Sequence, residues 1–397
     1  MNTSYPTLVA CALALISSCP SQKPAGPAKQ RPPLVLAPGA VDVRSVIRQV
    51  GKYLGRDYEI EKLKDLPATV ASGLTLRLQN PVELDAGSAE AVLSEIAAAR
   101  ALHLVAGKTS HRWVFAHGPS NNLIVANPRV LTPEQVLDSS TPEICVRTTM
   151  KVKGDATKMG QQLRPWFASR TSTLRLVLPV ADTIEFTGLR HEVVAALQLI
   201  RTLEGVALGP ADDTPAVRAL VAKVSGKASR GFTIERGTHA LSWALDKMAD
   251  LHGTNHLYHE QALAGVSFEL KEPLEIQSTN AIRVVSQLAA KQGVMMFPIA
   301  AHHGIYEWAR VRGAWRNALA DRTLFVSVEC ARQLEAVHVN MITVYRSEKV
   351  DVRNAMGILR PQMARLRVTF GSAGPSTLLM QGSAANIVKA VDILEGK

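Results

Sequence analysis

The feature that most constrains this chain is that it repeats itself. Gly73 to Ala106 reads GLTLRLQNPVELDAGSAEAVLSEIAAARALHLVA, and Gly265 to Pro298 reads GVSFELKEPLEIQSTNAIRVVSQLAAKQGVMMFP. At one constant spacing and without a gap, Pro81 falls on Pro273, Leu84 on Ile276, Val92 on Val284, Ile96 on Leu288 and Leu102 on Val294. A second, different unit recurs too. LRPWFASR from Leu163 matches LRPQMARL from Leu359, and TIEFTGLRHEVVAALQLIRTLEG from Thr183 matches TLLMQGSAANIVKAVDILEGK from Thr377. The order is A, B, A, B, which reads as one A-B pair duplicated whole.

In the first A unit, Val43, Val46, Ile47, Val50 and Leu54 fall at helical spacing, and Gly55 is placed to end that helix. A strand over Leu34 to Ala37 precedes it. Leu74, Leu76 and Leu78 alternate as a half-buried strand, Val82 and Leu84 start another, and Ser88 is positioned to cap a helix running to Arg100. Leu102 to Ala106 and Arg112 to Ala116 complete a hairpin around Gly107. The first B unit reads as a strand at Cys145 to Val152, a helix from Ala156 to Phe167, strands near Leu174 to Leu178 and Thr183 to Phe186, and a helix from His191 to Leu203. Apolar triplets at Leu123 to Val125 and Leu324 to Val326 are expected to donate an edge strand each. The expected fold is α+β: four small two-layer helix-on-sheet domains in A-B-A-B order, over 34–118, 144–205, 231–310 and 335–397. Linkers occupy 20–33, 119–143, 206–230 and 311–334.

The first nineteen residues carry no Lys or Arg but hold an apolar run from Leu8 to Ile16, followed by Ser17, Ser18 and Cys19. That run is shorter than the about 20 residues a spanning helix needs, so residues 1–19 read as an export signal. The ISSC ending resembles a bacterial lipoprotein signal and makes Cys19 the candidate lipid attachment site. Hydrophobic residues make up 47% but aromatics only 5%, which suits helix-on-sheet cores built from Ala, Val and Leu rather than aromatic-lined pockets. The net charge of +11 favours anionic partners, although no run of adjacent basic residues concentrates it. Cys145 and Cys330 leave room for one disulfide, but they occupy non-equivalent places in the repeat, which favours reading them as buried small side chains.

Chemistry-bearing patterns are sparse. Gly107, Lys108 and Thr109 imitate the end of a phosphate-binding loop, but Leu102 stands where the first glycine is required, and the turn joins two strands. His252, His256 and His259, near His239, His302 and His303, have metal-like spacing, yet Gly253 interrupts any shared helical face and the first A unit lacks them. They read as surface or turn histidines. Trp113 and Trp308, in the terminal strands of the two A units, read as core. No catalytic, cofactor-binding or metal-ligating residue is assigned.

The A unit resembles the short N-terminal domain shared by secretins and TonB-dependent receptors, through the helix ending at Gly55, then LQNPVEL and AEAVLSEIAAARALHLV. The B unit resembles the secretin ring-building domain, through DATKMGQQLRP and TIEFTGLRHEVVAALQLIRTLEG, with Thr183 to Phe186 in place of the family's Asn-rich strand. A secretin continues into an outer-membrane β-barrel domain, which this sequence lacks after its second B unit. The resemblance implies a non-enzymatic, periplasmic scaffold or adaptor of a type II secretion or type IV pilus-like machine. Its expected partners are a secretin or other envelope secretion-machine proteins and the outer membrane through the lipid anchor, with self-association open. Two other readings follow: a signalling adaptor of TonB-receptor type, and a DNA-binding component of an uptake system, the latter without the Gly-x-x-Gly clamp loop.

Overall fold

The computed structural model describes residues 31–60, 74–100, 102–106, 112–117, 125–164, 173–205, 215–225, 230–258, 263–310, 324–346, 351–362, 368–374 and 376–397. Residues 33–397 form one compact unit. Cys19, the Leu8 to Ile16 run, the Gly107 turn, His259 and Leu123 lie outside the described residues.

The first A segment contains β1 (Leu34–Leu36), β2 (Gly39–Asp42), α1 (Val43–Leu54), β3 (Asp57–Ile60), β4 (Thr75–Leu78), β5 (Val82–Leu84), α2 (Ala89–Ala99), β6 (Leu102–Ala106) and β7 (Arg112–His117). β1 pairs antiparallel with β5 and β2 with β4, while β3 lies parallel to β7, which pairs antiparallel with β6. α1 buries Val43, Val46, Ile47 and Val50, the apolar stripe of its sequence. Asp42 caps its start by accepting from the Arg44 amide at 2.9 Å. Gly55 ends it at φ 69°, a left-handed conformation that glycine adopts without steric cost.

The first B segment contains β8 (Arg129–Val130), α3 (Pro133–Leu137), β9 (Cys145–Lys151), α4 (Ala156–Leu163), β10 (Arg175–Val180), β11 (Thr183–Leu189) and α5 (Arg190–Leu203). Its sheet has the order β10-β11-β9-β8, with β8 parallel to β9 and the other pairs antiparallel.

After α6 (Pro215–Ser225), the same order of elements returns. The second A segment has β12 (Gly231–Ile234), β13 (Gly237–Ala240), α7 (Leu241–His252), β14 (Asn255–Tyr258), β15 (Ser267–Leu270), β16 (Leu274–Gln277), α8 (Ala281–Lys291), β17 (Val294–Ala300) and β18 (Ile305–Arg310). The second B segment has β19 (Leu324–Val326), α9 (Val328–Gln333), β20 (Asn340–Arg346), α10 (Val352–Leu359), β21 (Thr369–Gly374), β22 (Thr377–Ser383) and α11 (Ala384–Glu395). Pairings β12-β16, β13-β15, β14-β18-β17 and β19-β20-β22-β21 reproduce those of the first half strand for strand and in sense.

Two details sharpen the correspondence. Ser94 accepts from the Glu143 amide at 2.7 Å and its hydroxyl donates to the Ala91 carbonyl. Ser286 likewise accepts from the His338 amide at 3.4 Å and donates to the Arg283 carbonyl. Isolated parallel bridges, Leu104 with Ile144 and Met296 with Val339, stitch each A sheet to the B strand beside it.

The structure differs from the sequence reading in the connectors. The first B sheet takes its edge strand from Arg129–Val130, and Val125 is not part of any strand, whereas Leu324–Val326 is a strand as expected. The stretches 119–143 and 311–334 thus contribute β8 with α3, and β19 with α9, to the B layers. The connector at 206–230 holds α6, which packs on α8 and α9 and buries Val217, Leu220 and Val224. β3 and β14 are short half-apolar strands that alternation alone did not separate from the flanking loops.

Candidate partner-binding faces

The sheet of the second half has two buried faces. One carries Tyr258, Val294, Met296, Tyr306 and Trp308 and packs on the half's own helices. The other carries Leu257, Phe297, Ile299, Ile305 and Ala309, and these belong to the core of the first half. The B sheet repeats the arrangement: Leu324, Val326, Met341 and Met380 point one way, and Phe325, Ile342 and Leu379 point the other, into the first half's core. Helices of the first half supply the cover. α2 packs on β17 and α5 on β19, while β4 runs beside β14.

The helix sequences match this burial. All residues of α2, AEAVLSEIAAA, are buried, because its second side meets the sheet of the other half. Its counterpart α8, AIRVVSQLAAK, buries only Ala281, Ile282, Val285, Ser286 and Ala289.

Polar contacts fix the seam between the halves. Arg100, at the end of α2, and Glu307, in the middle of β18, are each 1% exposed and meet at 2.6 Å. Glu307 lies in register with Leu257 and Phe297, so its carboxylate emerges from an apolar surface. Burying such a pair is costly, and its use lies in fixing one alignment of the two surfaces. Gln79 acts as a substitute strand: its side-chain carbonyl accepts from the His256 amide at 3.0 Å and its side-chain amide donates to the His256 carbonyl at 3.0 Å. The exposed edge of β14 is thereby closed. Arg346 donates to the Thr202 and Leu203 carbonyls, satisfying the C-terminus of α5.

The histidines do not converge. His256 is fully buried in β14, which corrects its reading as a surface or turn residue. Its Nδ1 accepts from the Trp308 indole at 3.0 Å, which leaves the proton on Nε2 to donate to the Thr254 hydroxyl at 3.0 Å, and Tyr306 stacks on the ring at 5.3 Å. Burial drives its pKa down to about 3, so it is neutral at physiological pH. His252 donates to the Ser278 carbonyl at 2.8 Å, and His239, on the exposed β13, to the Glu235 carbonyl at 2.7 Å. Half-buried His303 has its pKa lowered by burial, offset in part by Asp85. His302's side chain lies outside the described residues. Among the described residues no three His, Cys, Asp or Glu side chains gather as a metal site. Cys145 and Cys330 are both buried and form no disulfide, with burial pushing the Cys145 thiol up to about 12. Trp308 is core, as expected, and Trp113's side chain lies outside the described residues.

Among the described residues, two shallow grooves open to solvent, about 390 Å³ beside β12 and β16 and about 370 Å³ beside α1. The sheet of the first B segment is different. Its inner face carries Val146, Ile184 and Phe186 in the core, and its outer face carries exposed Arg147, Thr149, Lys151, Arg175, Val177 and Val130. Sequence reasoning missed this face, although comparing the aligned repeats position by position exposes it.

No family model matches the chain, and no curated protein matches it. Among solved structures, XcpQN012 is similar at 10% identity, over 66% of this chain and 99% of that one, with a TM-score of 0.19. The N-terminal domain of the secretin XcpQ from Pseudomonas aeruginosa is similar at 9% identity, over 64% of this chain and 98% of that one, with a TM-score of 0.16. At this level the likeness carries no function across. Among the described residues, no helix is long and apolar enough to cross a membrane.

Proposed function

We propose that this chain is a non-enzymatic cell-envelope scaffold or adaptor of a type II secretion or type IV pilus-like machine, binding partner proteins through domain faces. The observation that carries the reading is how its own halves meet: helices of one A-B pair lie flat on the sheets of the next, locked by Arg100 and Glu307. A module that buries domain faces against a copy of its own fold is suited to meeting neighbours in the same way. The sequence resemblance to secretin domains supports the setting, and the ISSC signal supports export with a lipid on Cys19. On this reading the four segments descend from a duplicated A-B pair and act in the periplasm.

The test is affinity capture of the tagged chain from detergent-solubilised envelope. Co-purification of a secretin or another envelope secretion protein is expected. Recovery of an inner-membrane signalling regulator alone, or of DNA alone, would refute the assignment. In parallel, Cys19→Ala should release the protein from membranes, and its continued full partitioning with them would remove the lipid anchor from the account.

A further inference from the structure

The outer face of the second B sheet is covered by a helix, and the residues on the same face of the first B sheet are exposed. In the second, Phe325, Ile342 and Leu379 are 4%, 8% and 0% exposed beneath the first half. Pairing registers place Val130 at the position of Phe325, Arg147 at that of Ile342, Lys151 at that of Arg346 and Glu185 at that of Leu379. Val177 pairs with Glu185, and Arg175 with Thr187, so both share this face. Of the five exposed large hydrophobic residues among the described residues, Val130, Val177 and Val180 belong to the strands of this one sheet.

We infer that this face, centred on Val130, Arg147, Lys151, Arg175 and Val177, docks an amphipathic helix of a partner protein whose apolar stripe is flanked by acidic residues. The shape argument comes from the established contact, since the corresponding face one repeat along takes α5. The charge argument comes from the residues: Arg147, Lys151 and Arg175 are exposed on this face, and Glu185 lies among them at 3.8 Å from Arg147. Exposed valines between cations suit a helix that buries a narrow apolar seam and sets carboxylates at its margins.

A second copy of this chain fits poorly. Its counterpart helix, α11, has an exposed Lys389, while Asp392 and Glu395 are held by Arg332 at 2.7 and 3.0 Å. The neighbouring α8 adds Arg283 and Lys291 on its less buried side. Cation would meet cation.

This inference rests on the partner-binding reading above and names the chemistry of one partner. The test uses the full chain and a labelled synthetic helix of about the length of α5, with an Ala/Leu stripe flanked by Glu, beside a version carrying Lys instead. The Glu helix should bind at least tenfold more tightly than the Lys helix, and raising salt should weaken it. Arg147→Glu or Arg175→Glu should each weaken it at least tenfold. Arg147→Gln, a milder change at an exposed site, should produce a smaller loss in the same direction. Equal binding of the two helices, or insensitivity to these substitutions, overturns the inference. So does concentration-dependent self-association in sedimentation that Arg147→Glu abolishes, which assigns the face to a second copy. Binding to vesicles of anionic lipid that Arg147→Glu abolishes, with neither helix bound, assigns it to a membrane and also overturns it. If the chain carrying both Arg147→Glu and Arg175→Glu still captures a secretin from the envelope, the functional reading stands and this face is removed from it.

Discussion

The two halves of this molecule share every strand pairing, yet their outer surfaces are opposites. In the first half α2 is buried along its whole length and the outer face of the B sheet is open; in the second the β14-β18-β17 sheet and the β19-β20-β22 part of the B sheet are buried on both faces and α8 keeps a solvated side. The difference is written in a few positions: Arg147 against Ile342, Glu185 against Leu379, Glu59 against Leu257, and Ala91 against Arg283. It teaches that one fold offers two faces able to bury, and that side-chain polarity decides which is used. A heterologous contact of this kind propagates unless the free faces are made unlike the buried ones, and here they are.

The largest expected effect comes from the seam. Glu307→Leu or Arg100→Met alone leaves a lone charge under the interface and should cost about 3–5 kcal/mol in urea unfolding. The double substitution should recover most of that loss. A double variant as unstable as the sum of the singles would mean the pair does not act as a pair.

The next contrast sets matched positions side by side. Leu379→Ala removes a fully buried side chain from the interface and should cost about 2–5 kcal/mol. Glu185→Ala, its counterpart on the free face, should stay within about 0.5 kcal/mol. Similar losses at both would show that the first face is covered as well.

His256 gives a pH test confined to the second half, since Tyr58 holds the matching place in the first. With its pKa depressed from 6.5 to about 3, the folded state binds fewer protons than the unfolded state below pH 6.5. Its contribution is therefore complete above about pH 6.5 and falls as pH drops toward 3, by about 1.4 kcal/mol per unit. Between pH 7 and pH 5 the native protein should lose about 2 kcal/mol more stability than His256→Gln loses over the same range. Parallel pH profiles would contradict the buried neutral ring.

The smallest of these effects concerns the closed strand edge. Gln79→Ala removes the amide that bonds both backbone groups of His256 and should cost about 1–3 kcal/mol. Gln49→Ala, on the exposed side of α1, serves as the reference and should change little.

Much of this was legible in the sequence because hydrophobic periodicity and the repeat constrain the same residues twice. Val43, Val46, Ile47 and Val50 mark α1, and Gly55 its end, with Gly253 performing the same turn at φ 62° in the second half. The α1 match is hidden from a gapless alignment because the join at 61–74 is longer than the join at 259–266. Strands such as β8 and β3 are too short for alternation to register. Which face of each copy is buried could be read only from paired positions, since a buried Ile342 and an exposed Arg147 occupy identical backbone surroundings. His256 escaped for the same reason: a strand histidine looks polar until Trp308 and Thr254 are found to satisfy it.

The central claim, that the halves stack with one B sheet covered and the other free, is tested most directly by hydroxyl-radical footprinting of the intact chain. Val130 and Val177 should be oxidised while Phe325, Ile342 and Leu379 remain protected, and Ile342→Arg should open the second set. Oxidation of Phe325 and Leu379 in the unmodified protein at the level seen for Val130 and Val177 would contradict it.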